Sequence, residues 1–220
     1  MPPGCRLLDL GCGAGRTTIP LARQNYLVTG TDISLPMVHR GKSQAQQWRV
    51  PATWSVLDGT DLPFADNTFD GVLFSYNGIE LVPGIAGKQQ VLSEIWRVLE
   101  PGGHFIFTTH AIEALNRYAF GRLKRLASFF FSQILKRDKL ESEVGEVIHG
   151  PERNLEVYYM QIVSPRIYRT LLQDTGFDLV YYNSRRRIDA QKPPGGRWID
   201  FDPDFKFYVA QKTPKNSNKP

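Results

Sequence analysis

In the first half of the chain, short apolar runs alternate with stretches where apolar residues recur every third or fourth position. The runs predict strands over residues 6–10, 26–31, 53–57, 69–75 and 104–109. The stretches between them predict helices over 17–24, 36–48 and 88–99. In the last of these Val91, Leu92, Ile95, Val98 and Leu99 share one face, the side that should pack on a sheet. Glu100-Pro101-Gly102-Gly103 ends that helix, because proline lacks the amide and glycine leaves helical backbone cheaply. Ser34 and Pro36 suit the N-cap and first turn of the second helix. Strand–helix alternation of this kind predicts a parallel sheet covered on both faces.

The second half breaks the rhythm. Ser164-Pro165 opens a helix whose Ile167, Leu171 and Leu172 face inward, and Gly176 closes it. Strands follow over 177–182 and 206–210, with no second helix, which predicts a final antiparallel hairpin. From Lys212 the chain turns polar and proline-bearing, so 213–220 reads as a disordered tail on a single domain over 1–212. Residues 111–163 read as a helical insert: Ile112, Leu115, Ala119, Leu123, Leu126, Phe130 and Ile134 recur at helical steps, with Phe129 and Phe131 beside them. Arg117, Arg122, Lys124, Arg125, Lys136 and Arg137 decorate the same stretch. It suits a helix packed on the sheet, a lid over a substrate pocket, or a helix lying on a membrane surface.

Composition narrows the classes. The chain of 220 residues can bury one sizeable core. It has no apolar run of about 18 residues, so no transmembrane helix, and no charged-then-apolar leader. Its two cysteines, Cys5 and Cys12, stand at opposite ends of one strand, too far apart to bridge, which suits reduced thiols and a cytoplasmic location. No Cys/His spacing suggests a metal. The net charge of +5 is uneven. Residues 1–110 hold 8 Lys+Arg against 9 Asp+Glu, and residues 111–220 hold 19 against 13. A basic second half suits a solvated surface, an acidic ligand, a membrane or RNA.

The candidate chemistry begins at Asp9-Leu10-Gly11-Cys12-Gly13-Ala14-Gly15, directly behind an apolar strand. Glycines here let the backbone touch a ligand. The dinucleotide fingerprint fails, because Arg16 stands where its third glycine belongs, which disfavours a nicotinamide oxidoreductase. A nucleotide-like ligand without a pyrophosphate fits better. Asp32, ending the second strand, is placed to accept hydrogen bonds from a ribose.

These stretches occur in order with Gly30-Thr31-Asp32-Ile33-Ser34 and Met37, then Asp58-Gly59-Thr60-Asp61-Leu62-Pro63-Phe64, Asn67-Thr68-Phe69-Asp70, and Arg97-Val98-Leu99-Glu100-Pro101-Gly102-Gly103. Together they resemble the class I S-adenosylmethionine-dependent methyltransferases, of the small-molecule type 11/25-like group, over roughly the first half of the chain. The resemblance implies a Rossmann-like, doubly wound α/β fold with a mostly parallel seven-stranded sheet and an antiparallel last strand. It implies S-adenosylmethionine as cofactor. Gly11, Cys12, Gly13 and Gly15 would approach its methionine and ribose, Asp9 would lie beneath the amine, and Asp32 would take both ribose hydroxyls. Asp58 with Gly59 would hold the adenine, and Ile33, Met37 and Ser75 would line the same site.

Methyl transfer from a sulfonium needs positioning more than acid–base machinery. The stretch Ser75-Tyr76-Asn77-Gly78-Ile79-Glu80-Leu81 should face the methyl donor. It lacks the Asn/Asp-Pro-Pro-aromatic motif of enzymes acting on base amines. Leu81 stands where many small-molecule members have a histidine, so His110 becomes the candidate base, with Tyr76 or Asn77 orienting the acceptor. Family members commonly carry a helix before the first strand, and here only Met1 to Cys5 precede it. The leading expectation is methylation of a small, partly apolar or acidic molecule. The alternatives are an RNA-directed methyltransferase, with Arg185-Arg186-Arg187 and Arg197-Trp198 as contacts, or a silent cofactor-binding interaction protein.

Overall fold

A computed structural model describes residues 1–134, 143–149, 158–196 and 198–213. The predicted Lys136, Arg137 and Arg197 and nearly all of the tail, 214–220, lie outside the described residues. The elements run β1 Arg6–Leu10, α1 Thr18–Arg23, β2 Leu27–Asp32, α2 Leu35–Gln47, β3 Thr53–Val56, β4 Phe69–Phe74, α3 Gly84–Val98 and β5 Leu99–Thr109. Then come α4 Ala119–Ile134, β6 Glu146–His149, β7 Tyr158–Gln161, α5 Pro165–Thr175, β8 Phe177–Ser184, α6 Arg185–Asp189 and β9 Lys206–Lys212.

Seven strands form one sheet in the order β3-β2-β1-β4-β5-β9-β8. The first five pair in parallel, and β9 runs antiparallel to both β5 and β8. Strand alternation divides the core. Leu8 and Leu10 of β1 join Val91, Leu92, Ile95 and Val98 of α3 and Tyr168, Leu171 and Leu172 of α5 on one face. Leu7 joins Ile19 and Ala22 of α1, Val28 and Ala45 on the other. Chain order reverses between β1 and β4, so a crevice opens at the carboxyl ends of those strands.

Local signals held in most places. Ser164 caps α5 by accepting from the Arg166 amide, and Gly176 ends it at φ +98°. Ser34 does stand at the N-cap of α2, but its side chain makes no capping bond. Its amide instead donates to Asp32 Oδ1 at 2.9 Å. β5 starts at Leu99, five residues earlier than the pattern suggested, because a register shift against β4 accommodates Pro101 and its glycines. Lys212 ends β9, is buried, and donates to the Leu99 carbonyl at 2.7 Å and to Asn67 Oδ1 at 2.8 Å.

The insert is not wholly helical. α4 supplies one helix, and β6 and β7 pair as a separate antiparallel sheet that the sequence did not announce. The hairpin is latched by polar bonds. Fully buried Lys88 of α3 donates to the Val82 carbonyl at 2.6 Å and to Gln161 Oε1 of β7 at 2.8 Å. Glu143 Oε2 accepts from the Ile85 amide, and Tyr159 OH links the Gly84 amide to Glu146. Burial pushes the Lys88 ammonium down to about 8, and Glu143, Glu80 and Glu146 nearby hold it from falling further.

Candidate functional site

The turn after β1 is shaped by its glycines. Gly11, Gly13 and Gly15 have φ of +65°, +52° and +89°. A Cβ on Gly11 would meet the Phe74 ring at 2.8 Å, and one on Gly15 would meet Trp54 at 2.6 Å. A Cβ on Gly13 would meet nothing within 4 Å, so this backbone faces open space. The turn is pinned from β2: the Cys12 amide donates to the Thr31 carbonyl at 2.9 Å, and the Gly13 amide to Asp32 Oδ2 at 2.8 Å. Asp32 thus organises the turn as well as ending its strand. Two bonds leave lone pairs on its carboxylate for further donors.

Asp9 is 1% exposed, beneath the turn. Thr18 Oγ1 donates to its Oδ2 at 2.6 Å, while Oδ1 has no partner among the described residues. Burial raises the carboxyl to about 6, opposed by the Thr18 bonds and assisted by Asp32. Burial likewise pushes the Cys12 thiol up to about 12, so it stays protonated. Ile33 and Met37 are exposed apolar side chains beside Asp32, at 73% and 45%. Asp58 is exposed past β3 and also caps its own turn, with Oδ1 accepting from both the Thr60 amide and hydroxyl at 2.9 Å. Gly59 lies against Leu10. The sheet therefore brings every expected cofactor residue to one edge.

Ser75, Tyr76 and Asn77 follow β4 at the same edge. Tyr76 and Asn77 both take left-handed backbone, at φ +51° and +61°. Non-glycine residues held so are strained, and strain of this kind clusters at functional sites. Exposed Tyr76 receives the Arg16 guanidinium over its ring at 4.4 Å, joining the glycine turn to the end of β4. The Asn77 amide donates to Thr108 Oγ1 at 3.0 Å, and its Oδ1 is buried without a partner among the described residues.

Asn77 leads to His110, after β5. Glu80, fully buried in the short 3-10 turn Gly78–Leu81, grips that histidine with both oxygens. Oε1 accepts from the His110 amide at 2.5 Å, and Oε2 lies 2.7 Å from Nδ1. With Nδ1–H donating to Glu80, Nε2 is left as the acceptor. Asn77 Nδ2 lies 3.4 Å from Nδ1, the edge of bonding distance, and Phe205 packs edge-on at 4.8 Å. Sequence reasoning missed Glu80: the two residues are 30 positions apart, and only strand register brings them together.

His110 also lines a cavity of about 800 Å³ between α4, the β6–β7 hairpin and the loop before β9. Its apolar wall includes Ile112, Leu126, Phe129 and Met160. Of the expected phenylalanine cluster only Phe129 lines it; Phe130 and Phe131 are exposed and face away. Arg122 closes one end and spends its guanidinium on the Ile112 and Ala114 carbonyls and Asn116 Oδ1. Arg117 and Arg125 also line the cavity. The expected RNA contacts are partly consumed: Arg185 pairs with Asp189, and Arg187 donates to the Pro193 and Gly195 carbonyls. Among the described residues no His/Cys/Asp/Glu cluster could hold a metal, and no helix is long and apolar enough to cross a membrane.

Residues 7–103 match the family model described as a methyltransferase domain. A demethylmenaquinone methyltransferase of Symbiobacterium thermophilum is 39% identical over 109 residues, which cover 47% of this chain and 42% of that protein. A ubiquinone/menaquinone biosynthesis C-methyltransferase of Desulfotalea psychrophila is 36% identical over 107 residues, 48% of this chain and 41% of that protein. The chain thus spans less than half the length of these relatives. Among solved structures, an S-adenosylmethionine-dependent methyltransferase of Methanosarcina mazei superposes with a TM-score of 0.73 at 21% identity, covering 97% of this chain and 94% of that one. At that identity the likeness speaks for the fold alone.

Proposed function

We propose that this chain is a class I S-adenosylmethionine-dependent methyltransferase that binds S-adenosylmethionine in the glycine-turn crevice and methylates a small molecule held in the cavity beside His110. The observation that carries the reading is the pairing of an open Gly13 face with a buried, half-partnered Asp9 and a ribose-height Asp32 at one sheet edge. Asp9 Oδ1 suits an ammonium, Asp32 suits two hydroxyls, and Ile33 and Met37 offer apolar cover for a flat ring. Asp58 retains acceptor capacity for an exocyclic amine. The cofactor, when bound, supplies the activated methyl group.

The chain's own part is to position the acceptor and accept its proton. Glu80 fixes the His110 tautomer and stabilises the imidazole once it takes a proton at Nε2, the logic of a carboxylate–histidine pair. Asn77, next to His110, and Tyr76, beneath Arg16 of the glycine turn, would orient the acceptor. A volume of about 800 Å³ suits a metabolite with an apolar body. The quinone-precursor activity in the relatives' names fits that size and polarity, and it is the first acceptor class to assay. Arg187, tied into its own loop, and Arg185, paired with Asp189, weaken the RNA alternative.

Calorimetry with S-adenosylmethionine, its demethylated product and NAD tests the cofactor. Labelled-methyl transfer into a ribonuclease-treated small-molecule extract tests the acceptor. The reading fails if NAD binds and neither sulfur ligand does. The small-molecule part fails if label enters only RNA or protein.

A further inference from the structure

α4 has two contrasting faces. Arg122, Leu126 and Phe129 turn toward the cavity. On the opposite side Phe120, Leu123, Phe130 and Phe131 are 79%, 64%, 55% and 62% exposed, and Ala127 between them is exposed too. At about 100° per residue these five positions fall within roughly a quarter to a third of the helix circumference. The apolar patch continues beyond the helix. Leu115 is 67% exposed, and its amide donates to the Phe201 carbonyl, which brings Trp198, 72% exposed and packed on Phe201 at 5.6 Å, beside it. Exposed apolar area of this extent on a helix wants a partner.

The charges on the helix say which kind. Ala119–Ile134 holds no carboxylate; its Arg122 and Arg125 line the cavity, which leaves Lys124 as the helix's cation beside the stripe. Lys124 is exposed at the margin of the apolar stripe, and Arg117 with half-exposed Tyr118 precedes the helix. An apolar stripe bordered by Lys124 and Arg117 and by aromatic rings with a polar edge matches the headgroup region of an anionic bilayer: the rings enter the acyl boundary and the ammonium stays at phosphate level. We propose that the solvent-facing side of α4, with Leu115 and Trp198, docks this protein on an anionic lipid surface. The docking does not depend on the methyl-transfer reading. It places the cavity, on the other side of the same helix, next to the bilayer.

The test is co-sedimentation with phosphatidylcholine vesicles, with and without phosphatidylglycerol. The protein should pellet with the anionic vesicles and largely stay in solution with the neutral ones. Replacing Phe120, Leu123, Phe130 and Phe131 together by Gln should lower the anionic-vesicle affinity at least about tenfold, while circular dichroism and the thermal midpoint stay near wild type. Should that variant misfold, Lys124→Glu alone, an exposed position, should lower binding to anionic vesicles and leave any neutral-vesicle binding unchanged. No pelleting of wild type with anionic vesicles overturns the proposal, as does undiminished binding by a folded quadruple variant. So does a vesicle-free dimer that the quadruple variant converts to monomer, which would assign the stripe to a second copy of the chain. Salt-sensitive RNA retention without vesicle binding would assign the charge to RNA and overturn it equally.

Discussion

The three glycines of the turn make separable demands, and substituting each by alanine should separate folding from ligand binding. At Gly13 an alanine adds only the strain of left-handed backbone, about 1–2 kcal/mol, because its Cβ would meet no atom within 4 Å. In a chain of this size that lowers the thermal midpoint by roughly 2–8 °C. At Gly15 the same strain is joined by a clash, with the Cβ 2.6 Å from the Trp54 ring. Trp54 cannot simply swing away, since Gly41 of α2 lies against the same ring. Overpacking of that kind adds about 1–3 kcal/mol, for a total of roughly 2–5 kcal/mol and a fall of roughly 4–20 °C. Ligand affinity should rank the other way for Gly13. Its Cβ would project into the space left open beside Asp32, so the Kd for the demethylated cofactor should rise at least about tenfold, or 1.4 kcal/mol, in a protein that remains folded. Differential scanning fluorimetry and calorimetry on the same preparations provide both readings. An unchanged Kd for Gly13→Ala, or a midpoint as low as that of Gly15→Ala, would refute the assignment of the open face to a ligand.

Three further outcomes follow from the buried charges. Burial raises the Asp9 carboxyl from 3.8 to about 6, so its protonated form supports the fold; that support is complete below about pH 4 and lost as pH rises through 6. The stability gap between Asp9→Asn and wild type should therefore change by at most ~3 kcal/mol across that window and stay flat above it, read from urea melts at stepped pH. A gap independent of pH would show that Asp9 ionises freely. Glu80→Gln should cut kcat roughly 10²-fold or more with little change in KM, because the His110 imidazole loses the carboxylate that holds its tautomer. An unchanged kcat would reduce Glu80 to packing. Lys88→Ala should cost about 3–5 kcal/mol, since it opens a cavity and strips the Val82 carbonyl and Gln161 of their donor. Exchange of the Ile162 amide, which donates to the Gly145 carbonyl, should then rise before the rest of the sheet opens, and unchanged protection there would dissolve the proposed latch.

The parts of the site that could be read from the sequence are those whose geometry is local. Asp9, the glycine turn and Asp32 sit within one strand–turn–helix–strand unit, and glycine spacing with a strand-ending aspartate is enough to align them. Glu80 and His110 meet only through the pairing of β4 with β5 and the strained turn at Tyr76-Asn77, which no one-dimensional pattern encodes. Lys88 was assigned to a helix correctly, but its partner Gln161 lies in β7, 73 positions further along the chain. The helix α4 is the instructive misreading. Periodicity grouped Ile112, Leu115, Ala119, Leu123, Leu126, Phe130 and Ile134, but Ile112 and Leu126 line the cavity while Leu115, Leu123 and Phe130 are exposed. Periodicity carries no sign, so a helix packed on the sheet, a lid and a membrane-surface helix all fitted the same pattern. In the fold the charged Arg122 turns in, satisfied by carbonyls and Asn116, while Phe120, Phe130 and Phe131 turn out. Turning them inward would bury more apolar surface, and the cavity wall that Arg122, Leu126 and Phe129 form would then have to be built from other side chains. An orientation that forgoes this burial is understandable if the outer face has a partner, which is why the vesicle experiment bears on the architecture of the cavity as well as on where the protein resides.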